Sequence, residues 1–291
     1  MLPILYVIIL AIVQGLAELL PVSSSAHVVV AEKLLGLNPS SPQMTLVLVM
    51  LHTGTMFAVI VYFWNKWRTT YFRNATVFKS FAIQVILATA VTGIVGLFLQ
   101  KVIEKFAFHS ADKAEIEQLF SHLELIAPAL ALAGLLILFA GLSERRRLLP
   151  VRDEEGTEMT TSQSGVIGAV QGLCLPFRGF SRSGATISTG MLAGVPRDRA
   201  ESFSFALAVV LTPPVIAREA LRLLKAHKAD PSISLSGAIV PSLLGAVFAF
   251  VAGLVALRWL SGWLESGRWY LFGIYCLVAS GVVFLLYRAG Y

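Results

Sequence analysis

The chain has 291 residues, 56% hydrophobic and only 14% charged, with a mean hydropathy of +0.76. Soluble domains carry about 25% charged residues, so composition excludes an ordinary soluble domain and indicates an integral membrane protein. The net charge of +6 does not indicate a nucleic-acid partner, because the basic residues stand at the ends of apolar spans, where a membrane interface accounts for them.

The first Lys or Arg is Lys33, so no basic region precedes the opening apolar run, which is expected to remain in the mature protein. That run reads Ala11-Ile-Val-Gln-Gly-Leu-Ala-Glu-Leu-Leu-Pro-Val-Ser-Ser-Ser-Ala-His27, a helix broken at Pro21 that restarts after a serine cluster. The restarting piece, Ser25 to Leu35 before Gly36, has about 11 residues and covers roughly half a bilayer. Residues 1–36 are therefore expected to form a re-entrant hairpin, shielded by protein or a water-filled cavity. Three full spans follow at 45–63, 78–98 and 125–142. The loop 64–79 holds Lys66, Arg68, Arg73 and Lys79 with no acid, 99–124 reads as a solvated interfacial segment, and 143–152 carries Arg145, Arg146, Arg147 and Arg152.

A second broken motif lies within 164–194: Ala169-Val-Gln-Gly-Leu-Cys-Leu-Pro-Phe-Arg-Gly-Phe-Ser-Arg-Ser-Gly-Ala-Thr186. It shares Val-Gln-Gly-Leu, a proline break and a serine turn with the first, and its half-helix is expected over 183–193. Three more spans follow at 203–224, 236–257 and 268–288, Pro241 being tolerable near a helix start. Cys174 and Cys276 lie in apolar segments without metal-ligand spacing and are read as buried small apolar residues.

Placing the basic loops 64–79 and 143–152 in the cytoplasm brings 1–36 in from the outer face and 164–194 from the inner one. Arg218, Arg222, Lys225 and Lys228 then fall outside, so the bias is modest. The fold expected is an all-α polytopic membrane protein with six transmembrane helices plus two re-entrant helical hairpins. It forms a single membrane domain over 1–291, in which 1–142 and 164–291 are inverted repeats. Thr45–Phe63 corresponds roughly to Ser202–Glu219.

The two motifs share a scaffold and differ in chemistry, which suggests one composite site. Gln14 and Glu18, four apart, share a helix face. A Glu in an apolar half-helix is costly unless hydrated, paired or bound to a cation; it either reaches water near the interface or belongs to a site. Gln14 serves interhelical hydrogen bonding or a ligand. Ser23, Ser24 and Ser25 can cap the restarting helix, and the same helix end would stabilise an anion. His27 is a packing residue or, beside Glu18 and this turn, a group for proton or phosphoryl chemistry. In the second motif Ser181, Arg182, Ser183 and Thr186 open a half-helix. A guanidinium at membrane depth demands an anion, and its planar fork matches phosphate oxygens; an internal salt bridge to Glu18 is the alternative. Arg178 precedes the turn and can snorkel to the interface, while Gly179 and Gly184 allow close approach to a ligand.

Gln14-Gly-Leu-Ala-Glu18-Leu-Leu-Pro-Val-Ser-Ser-Ser-Ala-His27 together with Gly179-Phe-Ser-Arg-Ser-Gly-Ala-Thr186 closely resembles the undecaprenyl-diphosphate phosphatase family of the BacA (bacitracin-resistance) type. The resemblance covers essentially the whole chain. It implies hydrolysis of undecaprenyl diphosphate to undecaprenyl phosphate and orthophosphate. This would occur at the outer face of the bacterial inner membrane, recycling the carrier lipid for envelope synthesis and giving bacitracin resistance. By position Glu18, Ser24 and His27 match the first motif as catalytic residues. Ser181, Arg182 and Thr186, with Ser183 and Ser23 beside them, are matched to phosphate binding. A divalent cation, Mg²⁺ or Ca²⁺, is implied by the resemblance rather than by spacing, with Glu18 and more weakly Gln14 as its ligands. The expected partners are a polyprenyl diphosphate and membrane lipids, with no nucleic acid and with a homodimer left open.

Three departures from the family pattern stand out. Gln14 occupies a position where many members have Glu, two residues are inserted between Pro176 and Gly179, and Ala26 replaces a frequent Gly. The nucleophile is Ser24, His27 or water. The competing class is transport, since inverted repeats with broken helices also build secondary transporters and a polyprenyl-phosphate flippase.

Overall fold

The computed structural model describes residues 3–37, 42–107, 122–146, 159–229, 236–265 and 267–291. Among these the chain is all-helical: α1 Ile4–Leu19, α2 Ser24–Leu34, α3 Pro42–Thr70, α4 Ala75–Ala107, α5 Leu123–Arg145, α6 Thr161–Cys174, α7 Arg182–Leu192, α8 Arg197–Ala229, α9 Ser236–Glu265 and α10 Tyr270–Arg288. Six of them (α3, α4, α5, α8, α9 and α10) are long and apolar enough to cross a membrane. Their outward side chains, such as Ile86, Ile94 and Phe98, are large, apolar and exposed, as lipid-facing positions must be. The protein is an all-α polytopic membrane protein.

The expected spans are all present and several are longer. α3 continues past 63 to Thr70, and α4 past 98 to Ala107, so the first part of the stretch expected as an interfacial segment is helix. Once started, a helix gains one hydrogen bond per added residue, and Lys66, Arg68, Lys101 and Lys105 carry these extensions where polar heads reach the interface. The remainder of that stretch over 108–121, along with Arg147 and Arg152, lies outside the described residues.

The two short restarting helices fall where expected. α2 and α7 have 11 residues each, about 16 Å at 1.5 Å per residue and so near half of a bilayer core of about 30 Å. α1 packs on α2, and α6 on α7. α1 ends because Leu20 turns extended and Pro21, lacking an N–H, follows it. α6 begins with a capping box in which Thr160 accepts from the Gln163 backbone N–H and the Gln163 side chain accepts from the Thr160 N–H.

The described chain forms two compact units. One comprises Met1–Leu20, Ser24–Phe63 and Ala208–Leu260; the other comprises Pro21–Ser23, Trp64–Leu207 and Ser261–Tyr291. The first is organised around Val7, Leu10, Ala11, Val28, Met44, Val47, Leu51 and Ala249, which joins α1, α2, α3 and α9. The second has a core of Val85, Ala88, Ile167, Phe203 and Leu207, which joins α4, α6 and α8, and α10 packs along α5.

The shared Val-Gln-Gly-Leu has a packing role in each unit. A Cβ on Gly15 would sit 2.6 Å from Ala252 Cβ and 2.7 Å from the Ala249 carbonyl, so the glycine lets α1 lie against α9. A Cβ on Gly172 would sit 2.7 Å from Val95 Cβ and 2.9 Å from the Thr92 carbonyl, so α6 lies against α4 in the same manner. The neighbouring glutamines are both buried, and Gln171 Nε2 donates to Thr92 Oγ1 at 3.1 Å, a partner that a dry helix contact requires.

Candidate active site

The first motif converges on one carboxylate oxygen. Glu18 and Gln14 are one turn apart on α1, and Gln14 Nε2 donates to Glu18 Oε2 at 3.2 Å. The chain reverses through Pro21 to Ser23 and α2 starts at Ser24, whose hydroxyl donates to the same Glu18 Oε2 at 2.5 Å. The turn requires Ser23 to adopt φ +70°, the single non-glycine residue at positive φ among those described. Such backbone costs about 1–2 kcal/mol, and strain of this kind clusters at functional sites. His27 lies three residues into α2, half-buried.

A further side chain belongs here that the sequence reading did not single out. His52 of α3 places Nε2 4.0 Å from Glu18 Oε2, while its Nδ1 is 2.8 Å from the Leu48 carbonyl. The side chains of His52 and Glu18 are 44% and 18% exposed, so this edge of the carboxylate is open. The signal available in the sequence was a polar residue in the apolar run 45–63, weaker than the motif because nothing in spacing ties it to Glu18.

The second motif builds a helix N-terminus. Gly179 has φ +98°, and a Cβ there would lie 2.5 Å from the Ile126 carbonyl, so the inserted loop is pressed against α5 at a point where only glycine fits. Ser181 is the N-cap of α7: its Oγ accepts from the Gly184 N–H at 3.2 Å and is buried. Arg182 is the first helical residue, half-buried with its Nη1 enclosed by protein, and Ser183 beside it is buried. Arg178 is exposed.

Thr186 is fully buried, and its Oγ1 lies 2.8 Å from the Arg182 carbonyl, 3.3 Å from the Ser183 carbonyl and 2.6 Å from Ser204 Oγ of α8. A hydroxyl has one proton. With that proton on a carbonyl, Thr186 accepts from Ser204, and the pair fastens the first turn of α7 to α8. The other side of α7 is held by Trp269, whose Nε1 donates to Ser188 Oγ at 3.0 Å.

Gln14, Glu18 and Ser24 are thus joined by hydrogen bonds in one place, and Ser181, Arg182, Ser183 and Thr186 share one helix start in another. Among the described residues no group of three or more His, Cys, Asp or Glu is gathered as a metal cage. A single carboxylate nonetheless suits Mg²⁺, which is commonly held by one or two carboxylates with substrate phosphates supplying the rest.

Comparison with known proteins agrees along the full length. A family profile described as bacitracin resistance protein BacA matches residues 7–283. The chain is 57% identical over 286 residues to "Undecaprenyl-diphosphatase 2" of Acinetobacter baylyi, covering 97% of this chain and 98% of that one. It is 32% identical to a protein of the same name in Burkholderia ambifaria, over 96% and 95% of the two chains. "Undecaprenyl-diphosphatase" of Polaromonas naphthalenivorans is likewise 32% identical, over 95% and 92%. With the profile spanning nearly every described helix and a relative this similar over almost its whole length, the chain belongs to the BacA family.

Proposed function

We propose that the protein is a membrane phosphatase that hydrolyses undecaprenyl diphosphate to undecaprenyl phosphate and orthophosphate. The observation that carries its chemistry is the 2.5 Å hydrogen bond from Ser24 Oγ to Glu18 Oε2 at the point where the broken helix restarts. A nucleophile already donating its proton to a carboxylate is the arrangement covalent catalysis requires. Glu18 accepts the Ser24 proton as Oγ attacks the terminal phosphorus. The Ser24 O–P bond forms while the bond from that phosphorus to the bridging oxygen breaks, and Glu18 returns the proton to the departing undecaprenyl phosphate. Water then attacks the phosphoserine, the Ser24 O–P bond breaks, and orthophosphate leaves as Ser24 regains its proton. His27, on the first turn of α2, receives the proton of that water and passes it to the departing Ser24 oxygen.

The second motif supplies charge. Arg182, the hydroxyls of Ser181 and Ser183, the Ser23 turn and the positive dipole end of α7 stabilise the equatorial phosphoryl oxygens, the main source of catalysis in phosphoryl transfer. Thr186 contributes by holding that helix start in place. That both motifs act on one diphosphate rests on their shared scaffold, their complementary residues and the family match. Glu18, and more weakly Gln14, would hold a divalent cation, Mg²⁺ or Ca²⁺, whose chemistry is to neutralise charge on the diphosphate. The site belongs at the outer face of the bacterial inner membrane, on re-entrant hairpins related by inverted repetition; the equivalent roles of Gly15 and Gly172 support that relation.

The test is orthophosphate release by detergent-purified protein, because hydrolysis needs no sealed bilayer and transport does. Glu18→Gln and Arg182→Ala are each expected to abolish release while the protein stays folded. Near-normal turnover by either variant would overturn the site. Rapid quench with substrate labelled in the terminal phosphate should trap label on Ser24, and persistent failure to trap it, in wild type and slow variants alike, removes the covalent route.

A further inference from the structure

A serine that gives its proton to a carboxylate is only as effective as the carboxylate is fixed, and productive geometry tolerates little misplacement. Glu18 is poorly placed to be fixed by its own helix. It is the penultimate residue of α1, beside carbonyls whose dipoles repel a negative charge, on a side chain with three rotatable bonds. Gln14 approaches from one turn below and Ser24 from the restarting helix, but Ser24 is also the group that must move during reaction. A holder on a third helix would add a restraint that does not move with the reaction.

His52 meets that requirement. Its Nδ1 faces the Leu48 carbonyl at 2.8 Å, and toward a carbonyl a ring nitrogen can act only as donor, so Nδ1 carries a proton. That bond, made one turn back along the same helix, sets the plane of the imidazole. It also leaves Nε2 directed at Glu18 Oε2 from 4.0 Å. That separation is too long for a direct hydrogen bond and short enough for one water to bridge.

We propose that His52 is the positioning residue of the Ser24–Glu18 pair: anchored on Leu48, it holds the Glu18 carboxylate through a bridging water in the orientation that receives the Ser24 proton. The nucleophile, the base and a third group orienting the base then come from α2, α1 and α3, the general logic of an activated nucleophile. This inference rests on the reading of Glu18 and Ser24 as base and nucleophile.

The experiment measures kcat and KM for orthophosphate release from a polyprenyl diphosphate by purified protein bearing His52→Leu, His52→Gln or Glu18→Gln. Leucine keeps the bulk and deletes the ring nitrogens. Glutamine restores a polar group at the same reach, since its amide oxygen and nitrogen stand three bonds from Cβ, as Nε2 does. His52→Leu should lower kcat roughly ten- to hundred-fold, the scale on which small misplacements act, with KM within about two-fold. His52→Gln should recover most of that loss.

Wild-type kcat in His52→Leu overturns the inference. So does a change confined to KM, which would make His52 a substrate contact, or a His52→Gln protein as slow as His52→Leu. Because His52 is partly exposed, both variants should fold, and equal thermal unfolding midpoints establish that the kcat change is not lost structure. Activity in Glu18→Gln would instead sink the underlying site reading, whereas an inactive Glu18→Gln beside an unaffected His52→Leu sinks the role of His52 alone.

Discussion

Replacing Thr186 by valine keeps the shape of the side chain and removes one oxygen. That oxygen is 2.6 Å from Ser204 Oγ, and both residues are fully buried, so Thr186→Val strands the Ser204 hydroxyl where no water reaches it. A buried polar group stripped of its partner costs about 1–3 kcal/mol. Ser204→Ala is expected to be milder, near 1 kcal/mol, because Thr186 keeps the Arg182 and Ser183 carbonyls as partners. Removing both hydroxyls leaves an apolar pair with nothing unsatisfied, so the double variant should be about as stable as Ser204→Ala. The resulting coupling is roughly 1–3 kcal/mol, within the range for contacting residues. Chemical or thermal unfolding of the four proteins in detergent measures it, with kcat/KM recorded alongside. Activity should follow the same pattern, since the bond serves to hold the α7 start that carries Arg182. A coupling under about 0.5 kcal/mol, combined with a severe loss of kcat/KM in Thr186→Val that Ser204→Ala does not relieve, would refute this reasoning. The Thr186 hydroxyl would then act on phosphate itself.

Three further outcomes are expected. Gly172→Ala places a Cβ 2.7 Å from Val95 Cβ and 2.9 Å from a backbone oxygen; it should destabilise the protein by about 1–3 kcal/mol, and an unchanged unfolding midpoint would contradict the close crossing of α6 and α4. Arg197 Nη1 donates to Glu144 Oε2 at 2.9 Å with both side chains only partly exposed. Glu144→Gln should therefore cost about 1–2 kcal/mol, and adding Arg197→Gln should cost less than the two single changes summed, as measured by thermal unfolding. Chelation of divalent cations should stop orthophosphate release, Mg²⁺ or Ca²⁺ should restore it, and undiminished turnover after exhaustive chelation would remove the cation from the proposal.

Much of the architecture was legible because membrane folding leaves few alternatives. Apolar runs of this length with basic ends can only cross a bilayer as helices, since lipid offers no partner to an unpaired backbone group. The breaks at Pro21 and before Ser181 were legible for a related reason: proline deletes a donor and serine caps a restart. Helix ends were less so. α3 and α4 run on past their apolar segments because long basic side chains reach the interface while the backbone stays helical.

Within the site, the sequence by itself determined which residue types serve the chemistry and that they come as two motifs, because motif spacing is local and helix periodicity carries it. Gln14 beside Glu18 follows from a separation of one turn. Tertiary structure alone decided what lies across space from them. Ser24 donates to Glu18 across a turn at which Ser23 takes positive φ. Thr186 is tied to Ser204, and His52 comes to face Glu18, because α8 and α3 pack where they do. A sequence records which groups a helix carries; which groups meet is set by how helices pack, and that depends on side chains far apart in the chain, such as the close contacts at Gly15 and Gly172.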